Sequence, residues 1–337
     1  MTSIPQAEHP PEGRRRADPS PTVSVIVPAY KAARFIAESL QSVFAQTFPD
    51  FEVIVINDGS PDAEELRAVL APYRHRIVYL EQGHRGPAGA RNTAIRAARG
   101  ELLGFLDSDD CWLPEFLNEQ VTFLKQEPPA DLVYSDAVVF GEHISGTPTL
   151  MQSGRAPNDG PVTLESLLAE RCQVITSATL ARKQILIEAG WFDEELLTAS
   201  DYDMWLRVAH KGATIRYQRK VLARYRLRHD SISHSSRTRM WQNLIRILQK
   251  ADRTLHLAAS TRALLRERLT RAQAFVDLAR GEEYLFAGQF DQASNCLQKA
   301  NAFLRRPKLS ATLLGLRLAP WLTARVAGWY KRKQTQG

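Results

Sequence analysis

Short apolar runs alternate with amphipathic segments through the first 140 residues. The runs are rich in Val, Ile and Leu and have the length of buried strands; they occupy residues 23–27, 53–56, 77–80, 102–106 and 132–139. The segments between them repeat apolar residues at helical spacing, at residues 33–45, 62–70, 86–98 and 114–125. This alternation predicts an α/β fold with a mostly parallel, twisted sheet and helices on both faces.

The second half of the chain changes character. Residues 141–163 are rich in Gly, Pro, Ser and Thr, which predicts a loop. After it we predict strands over 175–181 and 221–227, and helices over 184–189 and 201–211. From about residue 238 the pattern is helical, and residues 281–300 resemble one tetratricopeptide helix-turn-helix unit. Because a solenoid needs about three such units, we favour a helical hairpin packed on the main body.

Composition and charge bound the domains and partners. Five prolines and three consecutive arginines in residues 1–21 predict a disordered leader. Three cysteines, odd in number and far apart, favour a reducing compartment. No run of about 18 apolar residues occurs, so no membrane-spanning helix is expected. Nine of the 44 basic residues follow Asp291, and no acidic residue does. Residues 1–291 are therefore near neutral in net charge, and we expect no nucleic-acid partner.

Polar clusters follow three of the predicted strands. Tyr30 and Lys31 follow the first, residues 57–60 the second and residues 107–110 the fourth. The carboxyl ends of parallel strands share one sheet edge, where ligands bind in open α/β folds. Asp107 and Asp109 suit a divalent cation that bridges phosphate oxygens, although solvated acids in a turn would have the same sequence. The convergence predicts a nucleotide site.

Seven sequence blocks together resemble the family 2 glycosyltransferases with a GT-A fold. They are VSVIVPAY (23–30), SVFAQ (42–46), INDGS (56–60), GARN (89–92), GELLGFLDSDD (100–110), GWFDE (190–194) and DYDMWLR (201–207). The resemblance covers residues 22–235 and implies an inverting transfer of sugar from a nucleotide-diphosphate sugar, a UDP- or dTDP-sugar, to a glycan or lipid-linked acceptor. It also implies Mn²⁺ or Mg²⁺ as cofactor and a role in polysaccharide biosynthesis for the cell envelope.

The resemblance gives the acidic cluster specific roles. Asp109 matches the metal ligand of the family's Asp-x-Asp motif, and Asp107 should lie near the ribose or a metal-bound water. Asp110 either adds to this site or caps the following helix, and capping is favoured.

On the nucleoside side, the resemblance makes Asp58 the acceptor for the imino N–H of the base. Asn57 replaces an aspartate that is common in the family. Pro28, Ala29 and Tyr30 are assigned to nucleotide contact, under or beside the base, with ordinary loop packing as the alternative for the last two.

Four further residues take roles from the resemblance. Arg91 would fix uracil or phosphate, unless it forms a surface salt bridge. Asp201 would be the general base, although Ser200 replaces the family's glutamate before it and Asp could instead cap the helix. Trp191 would stack on the acceptor, unless it belongs to the core. His229 would contact the diphosphate or metal.

The C-terminal segment predicts two further domains. Residues 236–304 form a helical extension, and residues 305–337 a basic amphipathic tail interrupted by Pro320. The tail resembles an interfacial segment that contacts anionic lipid, which would place a cytoplasmic protein on the inner face of the cell membrane. A basic helix packed on the body is the alternative.

Three other functions are weighed against glycosyl transfer. A catalytically inactive nucleotide-sugar binder or scaffold is suggested by Asn57 and Ser200. A nucleotidyltransferase would need a Gly-rich basic loop after the first strand, and a phosphatase that uses Asp107 would need its nucleophile there. Pro28-Ala29-Tyr30 supplies neither.

Overall fold

The computed structural model describes residues 20–126, 128–141, 148–152, 154, 158–196, 198–228 and 237–335. The chain divides into two compact units, residues 1–229 and 230–337. The predicted leader, 1–21, lies outside the described residues except for its end, where Pro21 is already buried.

The first unit is built on one mixed sheet of eight strands, in the order β3-β2-β1-β4-β7-β6-β8-β5. The strands are β1 (Val23–Ala29), β2 (Phe51–Asp58), β3 (Val78–Gln82), β4 (Leu102–Phe105), β5 (Cys111–Trp112), β6 (Leu132–Gly141), β7 (Thr179–Arg182) and β8 (Ile215–Leu227). β1 to β4 are mutually parallel, as predicted, whereas β7 runs antiparallel to both of its neighbours. The predicted α/β class is confirmed.

Seven α-helices among the described residues of this unit flank the sheet. They are α1 (Ile36–Phe44), α2 (Ala63–Leu70), α3 (Gly86–Ala97), α4 (Phe116–Lys125), α5 (Leu164–Leu168), α6 (Lys183–Glu188) and α7 (Ser200–His210). Alternate residues of β1 and β2 enter one core with Leu40 of α1, Leu66 of α2 and Leu117 of α4. On the other face, Phe105 of β4 meets Phe192 and Trp205 edge to face. Both faces are covered, which explains why the strands read as unbroken apolar runs.

Two of the predicted strands begin at other residues than the sequence indicates. The predicted strand over 175–181 is a strand only from Thr179, because Thr176–Ala178 forms a 3-10 helix. β8 begins at Ile215, six residues before the predicted start, and pairs in parallel with β6. Its first half is polar, and the pairing with β6, rather than an apolar run, keeps it in the sheet.

The second unit is helical, with α8 (Arg237–Thr254), α9 (Ala259–Phe286), α10 (Phe290–Leu304), α11 (Pro307–Leu318) and α12 (Pro320–Thr335). α9 and α10 form the predicted hairpin, where Gly281 leaves room for Leu297. Pro320 interrupts the tail as predicted: α11 ends at Leu318, and the proline occupies the first position of a new helix, α12. None of the helices described could cross a lipid bilayer.

Candidate active site

The loop after β4 carries the acidic cluster at the carboxyl edge of the sheet. Arg91, buried on α3, donates from Nη2 to Oδ1 of Asp107 over 2.7 Å. Arg228 donates from Nη1 to Oδ2 of Asp109 over 3.1 Å. Arg91 thus forms a salt bridge, which was the predicted alternative to a contact with ligand, but its own side chain is buried at 6% exposed and not on the surface. Each of the two carboxylates therefore faces one arginine.

Burial and mutual repulsion perturb these acids. Burial first, and then the charge of Asp107, raises the pKa of Asp109, while Arg228 opposes the change. Asp110 is more deeply buried, and its pKa is raised further by burial and by both neighbouring carboxylates. The loop thus concentrates negative charge in a place that favours a bound cation.

Asp110 does not cap the following helix, so that expectation is wrong. β5 intervenes, and α4 begins six residues later with Glu115 at its N-cap. Instead, Oδ1 of Asp110 accepts from the backbone N–H of Arg226, 2.7 Å away. Nε of Arg226 donates to the carbonyl oxygen of Asp109 over 2.7 Å, which ties the end of β8 to the acidic loop.

Two adjacent hydroxyls connect the acidic loop to α7. The hydroxyl of Ser177 accepts from the Asp107 N–H over 3.1 Å and donates to the Asp110 carboxylate. Oγ1 of Thr176 donates to Oδ2 of Asp201 over 2.7 Å. Both belong to the short 3-10 helix before β7, so this helix fixes the acids on either side of it.

Asp201 does not cap α7. The helix begins at Ser200, and Ala199 occupies the cap position with φ of 57° and no side-chain bond. The half-buried carboxylate of Asp201 is held by Thr176 instead. Ser200 is buried, so the position of the family's glutamate faces the interior here.

The phenol of Tyr225 on β8 lies within electrostatic reach of four acids. Burial raises its pKa above the ordinary value, and the charges of Asp110, Asp107, Asp109 and Asp201 raise it further. The structure therefore brings Asp201 to the same region as the acidic loop, although about 90 residues separate them in sequence.

Asp58 ends β2, and polar groups surround its buried carboxylate. Oδ1 accepts from Nε2 of Gln82 over 2.6 Å and from the N–H of Arg85 over 2.9 Å. Nδ1 of His84 lies 2.9 Å from Oδ2, and the His84 ring stacks on Tyr30 with centroids 4.3 Å apart. Tyr30 and Asp58 are thus together, as expected, and His84 covers both of them.

The remaining residues at the ends of β1 and β2 differ in exposure. Ala29 is fully buried, which leaves only its backbone for a ligand, and Pro28 is half-buried. Oδ1 of Asn57 accepts from the N–H of Ser60 over 2.9 Å, so Asn57 stabilises the turn after Asp58.

The contact described for the Trp191 ring is with Arg96. Its ring lies 5.1 Å from the guanidinium carbon of Arg96, near the end of α3, whereas Arg91 sits in the middle of that helix. No contact described for its ring joins it to Asp107, Asp109 or Asp201, so its role at the acceptor stays a prediction. His229 lies outside the described residues; its neighbour Arg228 contacts Asp109.

The carboxylates of Asp107 and Asp109 fit a hard cation that takes most of its ligands from substrate phosphates and water. Among the described residues, no three His, Cys, Asp or Glu side chains are placed to hold a metal ion together. Asp107 and Asp109 supply two carboxylates, and burial and repulsion oppose the ionised form of Asp109. Mg²⁺ and similar ions are commonly held by one or two carboxylates plus substrate phosphates and water, so the two acids fit such a site.

Comparison with known proteins identifies the family. The model of Glycosyl transferase family 2 matches residues 24–174. A putative teichuronic acid biosynthesis glycosyltransferase, TuaG of Bacillus subtilis strain 168, is 32% identical over 219 residues, covering 63% of this chain and 82% of TuaG. The chain belongs to glycosyltransferase family 2.

Other relatives of this family 2 glycosyltransferase are longer or more distant. A glycosyltransferase of Rickettsia felis is 30% identical over 208 residues, which is 61% of this chain but 34% of the relative, so the chain spans about a third of that protein. TarS of S. aureus in complex with UDP-GlcNAc is 22% identical, with a TM-score of 0.60 over 93% of this chain and 92% of TarS. The mannosyltransferase PcManGT of Pyrobaculum calidifontis, with GDP-Man and Mn²⁺, is 22% identical, with a TM-score of 0.58 over 95% and 86%. The structural likenesses confirm the GT-A fold.

Four residues of the site in this glycosyltransferase were given no role by the sequence analysis. Ser177 and Thr176 lie in a segment that the sequence predicts as a strand. Tyr225 lies in a strand in which apolar and charged residues are interspersed. His84 lies between the predicted strand over 77–80 and the predicted helix over 86–98, where the sequence has no periodic pattern. A polar pair, Thr-Ser, within an otherwise apolar segment was the signal available for the first two.

Proposed function

We propose that this enzyme transfers the sugar of a UDP- or dTDP-sugar to a hydroxyl group of a glycan or lipid-linked acceptor, with inversion and with Mn²⁺ or Mg²⁺. The observation that carries this proposal is that two adjacent hydroxyls hold the two sides of the site: Ser177 bonds the acidic loop at Asp107, and Thr176 bonds Asp201. One carboxylate pair for the diphosphate and a separate carboxylate for the acceptor are what a single displacement needs.

The acidic loop is the proposed diphosphate site. Asp109 and Asp107 would hold the cation together with phosphate oxygens. When bound, the divalent cation would neutralise the charge that develops on the leaving diphosphate. Arg228 contacts Asp109 and can turn its donors to a phosphate oxygen, because guanidinium groups bind phosphate and carboxylate with the same geometry.

Asp58 and Tyr30 are the proposed base site. Asp58 is an acceptor-only group when ionised, which suits the imino N–H of uracil or thymine. Tyr30 is 37% exposed and offers a flat face beside it. Together they favour a pyrimidine base.

Asp201 is the proposed general base. It would take the proton of the acceptor hydroxyl as that oxygen bonds to the anomeric carbon and the bond to the diphosphate oxygen breaks on the opposite side. The bond from Thr176 occupies Oδ2 and leaves Oδ1 close to the N–H of Tyr202. This arrangement orients the carboxylate without neutralising it.

The acceptor class is inferred from family context. TuaG is named for teichuronic acid biosynthesis, which makes a cell-envelope polysaccharide a reasonable acceptor class here. Release of free diphosphate nucleotide in the presence of fractionated envelope glycans would identify the acceptor.

The experiment is a transfer and binding assay on the full chain with UDP- and dTDP-sugars. Asp201→Asn should lose transfer by at least about a hundredfold, the usual contribution of a general base, and should keep nucleotide binding. Glu195→Gln, an exposed carboxylate shortly before Asp201, is the matched control and should change neither. Undiminished transfer by Asp201→Asn would refute the assignment, and absence of transfer in the unmodified chain with every donor would favour the inactive binder.

A further inference from the structure

The last two helices are apolar on two sides. On the inner side, Leu309, Leu313 and Leu316 pack against the cluster of Leu285 and Leu297 in the helical unit. A helix that is apolar on both sides needs a second apolar partner. The inner cluster covers only one side of α11, so the apolar residues on its other side need a different partner.

The other side is exposed, and its apolar residues gather at the turn between the helices. We call them the apolar tip: Leu314 (59% exposed), Leu318 (77%), Trp321 (73%), Leu322 (61%) and Val326 (47%). Gly315 faces Thr323 so closely that a Cβ on the glycine would lie 2.6 Å from its hydroxyl oxygen. α11 and α12 therefore approach each other closely beside the turn at Ala319, and this turn carries the tip.

Contacts on the inner side of the apolar tip hold Trp321 in place. Trp321 meets Phe290 edge to face, with centroids 5.2 Å apart, while most of its ring faces outward. Its outward position is therefore part of the packed unit. Large exposed apolar groups in a cluster are uncommon on monomeric proteins and indicate an interaction surface.

The charge around the tip is of one sign. Arg317 and Arg325 are exposed among the tip residues, and no acidic residue follows Asp291. A second copy of this surface would bring arginine against arginine with no carboxylate from α11 or α12 to pair with them. Negative charge must come from a different kind of partner.

We propose that the apolar tip docks on the surface of an anionic lipid bilayer. Leu318, Trp321 and Leu322 would enter the boundary between headgroups and acyl chains, and Arg317 and Arg325 would lie at the level of the headgroup phosphates. Since none of the helices described could span a bilayer, the association is peripheral and reversible. The proposal does not depend on the catalytic assignment, because it concerns only the helical unit.

The test is co-sedimentation of the full chain with vesicles of phosphatidylglycerol and phosphatidylcholine, and with vesicles of phosphatidylcholine alone. Leu318→Ser with Leu322→Ser should weaken binding to the anionic vesicles by at least about tenfold, since each removes a largely exposed side chain that would enter the bilayer. Arg317→Gln with Arg325→Gln should weaken it by about fivefold per charge and reduce the preference for anionic lipid. Met240→Ser, an exposed apolar residue of α8, is the matched control and should bind as the unmodified chain does.

Each outcome decides the proposal. Equal sedimentation of the double leucine variant and the unmodified chain would overturn it, as would equal binding to neutral and anionic vesicles. Light scattering would detect a dimer; a dimer that the leucine substitutions dissociate would make the tip a protein interface and would also overturn it. Thermal unfolding, expected to be unchanged because both leucines are mostly exposed, confirms that the variants are folded.

Discussion

His84 occupies the position that the proposed base site assigns to a pyrimidine. Its Nδ1 lies 2.9 Å from Oδ2 of Asp58 and 3.1 Å from the carbonyl oxygen of the same residue. Both partners only accept hydrogen bonds, so Nδ1 must carry the hydrogen. A flat ring stacked on Tyr30 that donates one N–H to Asp58 reproduces the contacts of uracil, and a bound base has to displace it.

Removal of this side chain should therefore tighten nucleotide binding. An aromatic pair contributes about 0.5–1.5 kcal/mol, and a hydrogen bond to a charged acceptor about 1.5–3 kcal/mol. The His84 side chain is 51% exposed, so water replaces much of the hydrogen bond and the low end applies. We expect a net cost of displacement of about 1–2 kcal/mol, which corresponds to UDP binding about five- to thirtyfold tighter in His84→Ala.

Calorimetric titration of UDP in the presence of Mn²⁺ measures this directly. His84→Phe keeps a ring for Tyr30 but cannot donate to Asp58, so its affinity should fall between those of the unmodified chain and His84→Ala. His75→Ala removes an exposed histidine elsewhere in the same unit and should have no effect. Weaker or unchanged UDP binding by His84→Ala would refute the reasoning and would make His84 a contact for the base or a bystander.

Two stability predictions concern other parts of the chain. Gly281→Ala gains about 1 kcal/mol of helix propensity. However, its new Cβ would lie 2.6 Å from Cδ2 and 3.2 Å from the backbone N of Leu297. The cost of overpacking, about 1–3 kcal/mol, should exceed that gain and lower the melting temperature. Gly328→Ala is the matched control, because the nearest atom is 3.9 Å away, and it should raise the melting temperature or leave it unchanged; equal shifts for the two would contradict the steric argument. The hydrogen bond from Arg67 is the main cause that lowers the pKa of Glu81 from 4.5 to about 2, so the pair stabilises the fold above pH 4.5 and loses this contribution as the pH falls toward 2. Glu81→Gln should therefore be less stable at pH 7 by under about 1 kcal/mol, since both side chains are partly exposed, with the difference shrinking below pH 4.5 in urea titrations; a constant difference would exclude linkage to Glu81.

Hydrophobic periodicity predicts those elements whose pattern is local. The runs that form β1 and β2 are apolar because both sheet faces are covered, and the parallel direction of β1 to β4 follows from strand–helix alternation. The meeting of Asp58 with the acidic loop at one edge follows from the same topology. These parts of the fold and of the site could be predicted without coordinates.

Other elements depend on contacts made only in three dimensions. β5 has two residues, too few for a period, and exists because Cys111 and Trp112 pair with β8. The Thr176–Ala178 turn leads directly into β7 in one short segment, and its hydroxyl bonds to Asp107 and Asp201 are what distinguish it from strand. The same holds for His84, whose position is set by how its loop folds over Asp58.

In the proposed mechanism, Asp109 would hold a divalent cation together with the diphosphate of the nucleotide. This role is tested by calorimetric titration of UDP, with and without Mn²⁺, on the unmodified chain and on Asp109→Asn. We predict that Mn²⁺ strengthens UDP binding by at least about tenfold in the unmodified chain, as a metal-bridged diphosphate requires, and has little effect in Asp109→Asn. UDP binding that ignores Mn²⁺ in the unmodified chain, or that responds equally in both proteins, would contradict the account.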